Sequence, residues 1–319
     1  MPLVKSFYQP SYIYRNGHFS TIYSARLRST PVLTQDRERL HLPDHDFIDI
    51  DWSFTKSQQN KVAILLHGLE GNTQRTYIKG AANALLKDNW DIAAMNFRGC
   101  SGEDNTAYQS YHSGKTDDLA SLIQHILEKD KYHEIVLVGF SLGANLLLKY
   151  LGERDEIPKE IKKGVAISVP TSLRGSLESL NRNENWMYSQ VFLYHLRKKY
   201  KLKMTKHPDK MSALEYDKIK TLKDFDDVYT SKAHGFKDAY DYYQKNSSNQ
   251  FLPNIKVPVL ILNAKNDSFL NSECFPFQIA ENSKYIYLET PLHGGHVGFH
   301  LSDDTYYSEQ RTVDFLNKI

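Results

Sequence analysis

Five short apolar runs punctuate the chain: Val62 to Leu66, Ile92 to Met95, Ile135 to Val138, Val165 to Val169 and Val257 to Leu262. Such runs lack alternation, which predicts strands covered on both faces, as in a parallel sheet. Tyr285 to Leu288 reads as a further, last strand. Ile48 to Phe54 differs, alternating apolar with polar residues, and predicts a half-buried antiparallel strand. Helical periods lie between the runs: Ile78, Ala81, Ala82, Leu85, Leu86, then Leu119, Leu122, Ile123, Ile126, Leu127, at spacings of three and four. Strand and helix alternate, so the fold class is α/β with a mostly parallel, doubly wound sheet. The rhythm lapses between Thr171 and about Gln250, where Trp186 to Tyr200 reads as a helix and polar turns follow. The expected organisation is therefore a core of residues 1–170 and 251–319, with an N-terminal extension over 1–45, and a helical cap inserted over 171–250.

Composition narrows the function. With 319 residues and 40% hydrophobic content the chain can bury a sizeable core, which excludes disorder for its bulk. Forty Lys and Arg against 38 Asp and Glu leave a formal net charge of +2, without the broad basic field of a nucleic-acid binder. Cys100 and Cys274 are the only cysteines, too few for a disulfide framework or a cysteine metal cage. Met1 to Arg28 lacks the apolar stretch of a signal peptide, and no run of eighteen apolar residues occurs. A cytoplasmic location is expected.

The sharpest chemical signal is Gly139-Phe140-Ser141-Leu142-Gly143, placed between the strand Ile135 to Val138 and a helix opening at Leu142. This is the context of a nucleophile elbow, a turn so tight that a Cβ at Gly139 or Gly143 would collide and the serine hydroxyl is pushed outward. A serine hydroxyl is a weak nucleophile, so it needs an imidazole to take its proton and a carboxylate to orient that imidazole. On this scaffold they follow in the order serine, acid, histidine. Asp267 lies just beyond the strand Val257 to Leu262. The histidine candidates are His293, His296 and His300; the glycines around His296 favour it, with His293 as runner-up. No carboxylate or cysteine joins the three at metal-ligand spacing, and no metal or other cofactor is expected. His67-Gly68-Leu69-Glu70-Gly71 follows the strand Val62 to Leu66, so the backbone N–H groups of Leu69 and Leu142 are candidates for an oxyanion hole.

Several further stretches resemble the α/β-hydrolase superfamily, and within it the YheT-like predicted hydrolases related to eukaryotic lipases and esterases. They are Asn16-Gly17-His18, His67-Gly68-Leu69-Glu70-Gly71, Phe97-Arg98-Gly99-Cys100-Ser101-Gly102, Tyr111-His112-Ser113-Gly114, Phe225-Asp226-Asp227, His234-Gly235-Phe236 and Gly294-Gly295-His296-Val297-Gly298-Phe299. The resemblance spans nearly the whole chain. It implies the α/β-hydrolase fold and ester hydrolysis, puts the catalytic histidine on His296 and puts the acid on Asp267. Gly17-His18-Phe19-Ser20-Thr21 stands where the family usually has Gly-His-Leu-Gln-Thr. His112, Cys100 and His234 have no step in an acyl-enzyme cycle and are expected to shape loops and the cap hinge.

The expected function is a serine hydrolase of carboxylic esters, acting on small-molecule or lipid esters through Ser141, Asp267 and His296. An acyltransferase using the same triad and a non-catalytic binding protein on this fold are the alternatives. Nucleic acid is not an expected partner. Seven cations between Arg197 and Lys210, opposed only by Asp209 and preceded by Trp186, Met187 and Tyr194, suggest peripheral contact with an anionic membrane. A solvated helix face explains the same residues.

Overall fold

Each apolar run lies wholly or mostly in a strand of one sheet. The computed structural model describes residues 3–302 and 305–318. Its strands are β1 (Leu3–Val4), β2 (Asp36–His41), β3 (Phe47–Ser53), β4 (Lys61–Leu66), β5 (Asp91–Asn96), β6 (Glu134–Phe140), β7 (Ile161–Ile167), β8 (Val259–Leu262) and β9 (Ile286–Glu289). They are ordered β1-β9-β8-β7-β6-β4-β5-β3-β2. Only the β2/β3 and β3/β5 pairings are antiparallel. Strand order reverses at β4, which has β5 on one side and β6 on the other, and the loops after β4 and β6 share that crevice. Register tightens the arrangement: Leu66 at the end of β4 pairs with Gly139 near the end of β6.

Helices cover both faces because the strands are apolar on both. One face packs Ile78, Ala82 and Leu85 with Phe315 and Leu316 onto Leu65, Val138 and Leu260. The other packs Leu119, Leu122 and Ile126 with Leu147 and Leu151 onto Ile64, Leu137 and Ile261. All ten strand residues Val62–Leu66 and Ile135–Phe140 apart from Gly139, a glycine, are buried side chains, which is why no polar alternation marks them in the sequence.

One reading changes. β3 is antiparallel as expected but is buried throughout rather than half-buried. Its acidic positions are not solvated: Asp49 and Asp51 pair with Arg39 at 2.8 Å and Arg37 at 2.7 Å of neighbouring β2. An ion pair hides a carboxylate as an apolar contact hides a methyl, so period two here does not mean an open face. The N-terminal extension is also part of the sheet, supplying both edge strands, β1 and β2.

Between β7 and β8 the chain forms helices rather than strands, including Leu173–Leu180, Trp186–Lys206 and Ala239–Asn246. The helix foreseen from Trp186 to Tyr200 continues to Lys206. Leu177, Leu196, Tyr200, Ile219, Phe225 and Tyr243 form an apolar cluster separate from the two on the sheet, joined from outside the insertion by Phe269. Among the described residues no helix is long and apolar enough to cross a membrane.

Candidate active site

Ser141 follows β6 and immediately precedes the helix Leu142–Glu153. Its φ of 52° lies in the left-handed region, an unfavourable one for serine. The turn is held by Ser141 N–H donating to Ile167 O at 2.9 Å and by Ala144 N–H donating to Ser141 O at 3.0 Å. A Cβ on Gly143 would stand 2.5 Å from Leu66 O, and one on Gly139 would stand 2.6 Å from Gly143 O. Strand and helix therefore meet as closely as glycine allows, and the Ser141 side chain remains part-exposed.

The loop after β4 lies against this elbow. Gly68 to Gly71 close a four-residue turn, Gly71 N–H donating to Gly68 O at 3.0 Å, with Glu70 at a φ of 51°. Two tyrosines occupy the amides on either side of Leu69: Gly68 N–H donates to Tyr77 Oη at 3.1 Å and Glu70 N–H to Tyr111 Oη at 2.9 Å. Among the described residues the N–H groups of Leu69 and Leu142 have no partner, and both residues line one cavity with Ser141. His67 fixes the start of the loop. Its Nε2 accepts Phe97 N–H at 3.2 Å, so Nδ1 carries the proton and donates to Gly68 O at 2.8 Å. Burial holds its pKa down to about 3, so this imidazole is neutral and structural.

Asp267 and His296 follow β8 and β9. His296 Nδ1–H donates to Asp267 Oδ2 at 2.8 Å, while Asp267 Oδ1 accepts Phe269 N–H at 2.9 Å, so both carboxylate oxygens are engaged. That tautomer leaves His296 Nε2 with a free lone pair. Phe269 stacks on the imidazole with ring centroids 4.3 Å apart and lines the same cavity as Ser141. No hydrogen bond joins Ser141 to His296, and a candidate nucleophile and base often close such a bond only in a substrate complex. His293 bonds to Arg15 O instead of Asp267, and His300 stacks on Tyr14 at 3.8 Å. The structure thus brings His296 to Asp267 and leaves the other two histidines elsewhere.

The cavity measures about 140 Å³, roughly ten times what one water needs. Leu173, Leu177, Leu180, Phe192, Leu196, Leu222 and Phe225 of the inserted segment supply its apolar wall. Sequence reasoning missed Tyr77 and, although Tyr111 and Thr21 stood in the family-like motifs, gave those two no role. Thr21 Oγ1 accepts His296 N–H at 2.8 Å and donates to Gly17 O at 2.8 Å, so the helix Gly17–Ile22 buttresses the histidine loop. A Cβ on Gly17 would stand 2.3 Å from Asn266 O, which explains the glycine before His18. Cys100 is not a nucleophile candidate: it is buried and its thiol is pushed up to about 11. Among the described residues no cluster of three metal-ligating side chains occurs.

Comparison with known proteins bears on the family and the fold. A sequence profile described as the alpha/beta hydrolase fold matches residues 62–302. The Escherichia coli K12 protein named "Putative esterase YheT" is 32% identical over 311 residues, covering 95% of this chain and 91% of its own. The Bos taurus protein named Phospholipase ABHD3 is 27% identical over 310 residues, 93% of this chain and 74% of its own. The solved structure of the Pyrococcus furiosus esterase Pf2001 superimposes with a TM-score of 0.58 at 17% identity, covering 91% of this chain and 97% of that one. The profile match and the near end-to-end alignment with YheT place this chain in the α/β-hydrolase fold family.

Proposed function

We propose that the protein is a serine hydrolase of carboxylic esters. His296 Nε2 takes the Ser141 proton as Oγ attacks the ester carbonyl, and Asp267 holds the resulting imidazolium in place. The carbonyl oxygen becomes negative and accepts hydrogen bonds from the N–H groups of Leu69 and Leu142. His296 then protonates the departing alcohol. Water, losing its proton to the same imidazole, attacks the acyl-enzyme; the acid leaves and Ser141 recovers its proton. The observation that carries this reading is a strained serine facing two unpartnered amides in one cavity whose wall, through Phe269, touches a carboxylate-bound imidazole.

The apolar wall suits an aliphatic acyl group, and the esterase and phospholipase names of the relatives agree with that choice. We extend the proposal to lipid esters met at an anionic surface. Trp186, Met187 and Tyr194 are 65%, 55% and 66% exposed on a helix whose Lys198 and Lys201 are also exposed. Both cysteines are unpaired and buried, which suits the reducing cytoplasm as the place of action.

Intact-mass analysis after fluorophosphonate treatment, followed by peptide mapping, tests the reading on wild type and on Ser141→Ala. The expected result is one adduct, on Ser141, absent from the variant together with turnover of p-nitrophenyl esters. A folded wild type that takes no adduct and cleaves no ester overturns it.

A further inference from the structure

The helix Trp186–Lys206 buries Leu193, Leu196, Tyr200 and Lys203, one inward stripe at spacings of three and four. Lys199 precedes Lys203 by one turn and also points inward, its side chain 23% exposed. The ammonium donates to Glu70 Oε1 at 2.9 Å and to Cys100 Sγ at 3.1 Å, and lies 4.9 Å from the centre of the Tyr111 ring.

The partner matters because Glu70 follows Leu69 directly. At a φ of 51° Glu70 occupies a conformation that favours glycine, and such a conformation persists only where its surroundings over-determine it. Tyr111 Oη accepts Glu70 N–H and donates to its carboxylate at 2.6 Å, and Arg75 donates to Glu70 O at 2.9 Å. Those contacts come from the core; the Lys199 ammonium is the one from the inserted segment. Among the described residues it is also the only ion-pair partner of Glu70, whose side chain is 7% exposed. The neighbouring Tyr111 phenol and Cys100 thiol stay neutral, since burial raises the pKa of each. A buried ion pair is a poor stabiliser, because desolvation offsets attraction, but it does specify position.

We propose that Lys199 is a positioning residue: through Glu70 it holds the Gly68–Gly71 turn so that Leu69 N–H points at the ester oxygen. This rests on the Ser141 hydrolase reading and adds to it that the oxyanion hole is complete only with the inserted segment docked. Lys199 lines the same cavity as Ser141, but its ammonium is committed to Glu70 and Cys100, so its removal is expected to weaken transition-state binding more than ground-state binding.

Steady-state hydrolysis of p-nitrophenyl butyrate by the full chain provides the test. Ser141→Ala is run beside it, and absence of Ser141-dependent turnover in the wild type overturns the underlying reading and this inference with it. Given that turnover, Lys199→Met is expected to lower kcat roughly 10- to 100-fold, short of the 10²- to 10³-fold cost of deleting an oxyanion donor, with KM within about threefold. Lys199→Arg restores most of the loss. Because the effect runs through Glu70, Lys199→Met with Glu70→Gln is no slower than the worse single variant. A raised KM with unchanged kcat, or losses that multiply in the double variant, overturns the proposal. Should Lys199→Met fail to fold, Glu70→Gln carries the test from the core side: a matching fall in kcat supports it and an unchanged kcat overturns it.

Discussion

On the core side of the cavity, backbone alone places Ser141 and Leu142: a strand, a turn and a helix packed at contact through Gly139 and Gly143. On the other side, long side chains fasten the inserted segment to the loop after β5. Lys203 Nζ donates to Asn105 Oδ1 at 2.7 Å, Lys206 pairs with Asp104 at 3.0 Å, Tyr229 Oη meets Ser110 Oγ at 2.7 Å and Tyr242 Oη donates to Ser113 Oγ at 2.8 Å. Backbone contact leaves no room for adjustment, whereas side-chain tethers reach across a gap and shift by rotamer. The elbow that carries the proposed nucleophile is thus rigidly built, and the apolar wall of the cavity is held by parts that tolerate change.

The largest expected effect is at the rigid side. In Gly143→Ala the new methyl meets the carbonyl oxygens of Leu66 and His67 at 2.5 and 2.6 Å, and neither backbone can yield. A loss above about 3 kcal/mol in urea unfolding, or no folding, is expected; a stable, active variant breaks the comparison.

Acid sharpens it. Burial lowers His67 and His234 to about 3, and it puts His112 well below its ordinary value. Each is a base bound less tightly by protons when folded, so its stabilisation is present above pH 6.5 and is lost as pH falls. Between pH 6.5 and 5 His67 and His234 each withdraw on the order of 2 kcal/mol, and His112 acts in the same direction. His112 belongs to the core and His234 to the inserted segment, their rings 4.4 Å apart. His234→Gln is expected to flatten the fall of the urea midpoint between pH 7.5 and 5; an unchanged slope removes this pair from the account.

The smallest effect concerns Thr21→Val, which deprives His296 N–H of its acceptor. Turnover should drop about tenfold, on the order of 1 kcal/mol. Equal kcat in variant and wild type means the histidine loop is fixed by its glycines alone.

Legibility followed the same divide. The elbow could be read from letters because its steric demand falls on two named glycines, and the parallel strands because burial on both faces leaves only apolar residues. The half-buried expectation for β3 failed where arginines of β2 neutralise Asp49 and Asp51, since pairing across strands leaves no mark within one strand. Lys199, Lys203 and Lys206 look alike among seven cations, yet the helical phase turns the first two inward, and Asp104 claims the third.

By itself the sequence determined the alternation of strand and helix, the position of the elbow, and the chain order of Ser141, Asp267 and His296. These depend on local periodicity and on the size of single side chains. The glycines around His296 already favoured it over His293, whereas tertiary structure alone decided that Thr21 supports it from 275 residues away and that Lys199 reaches Glu70 across 129 residues. Contacts between distant segments are selected by packing and charge compensation in the assembled fold, and neither has a period that a single chain can display.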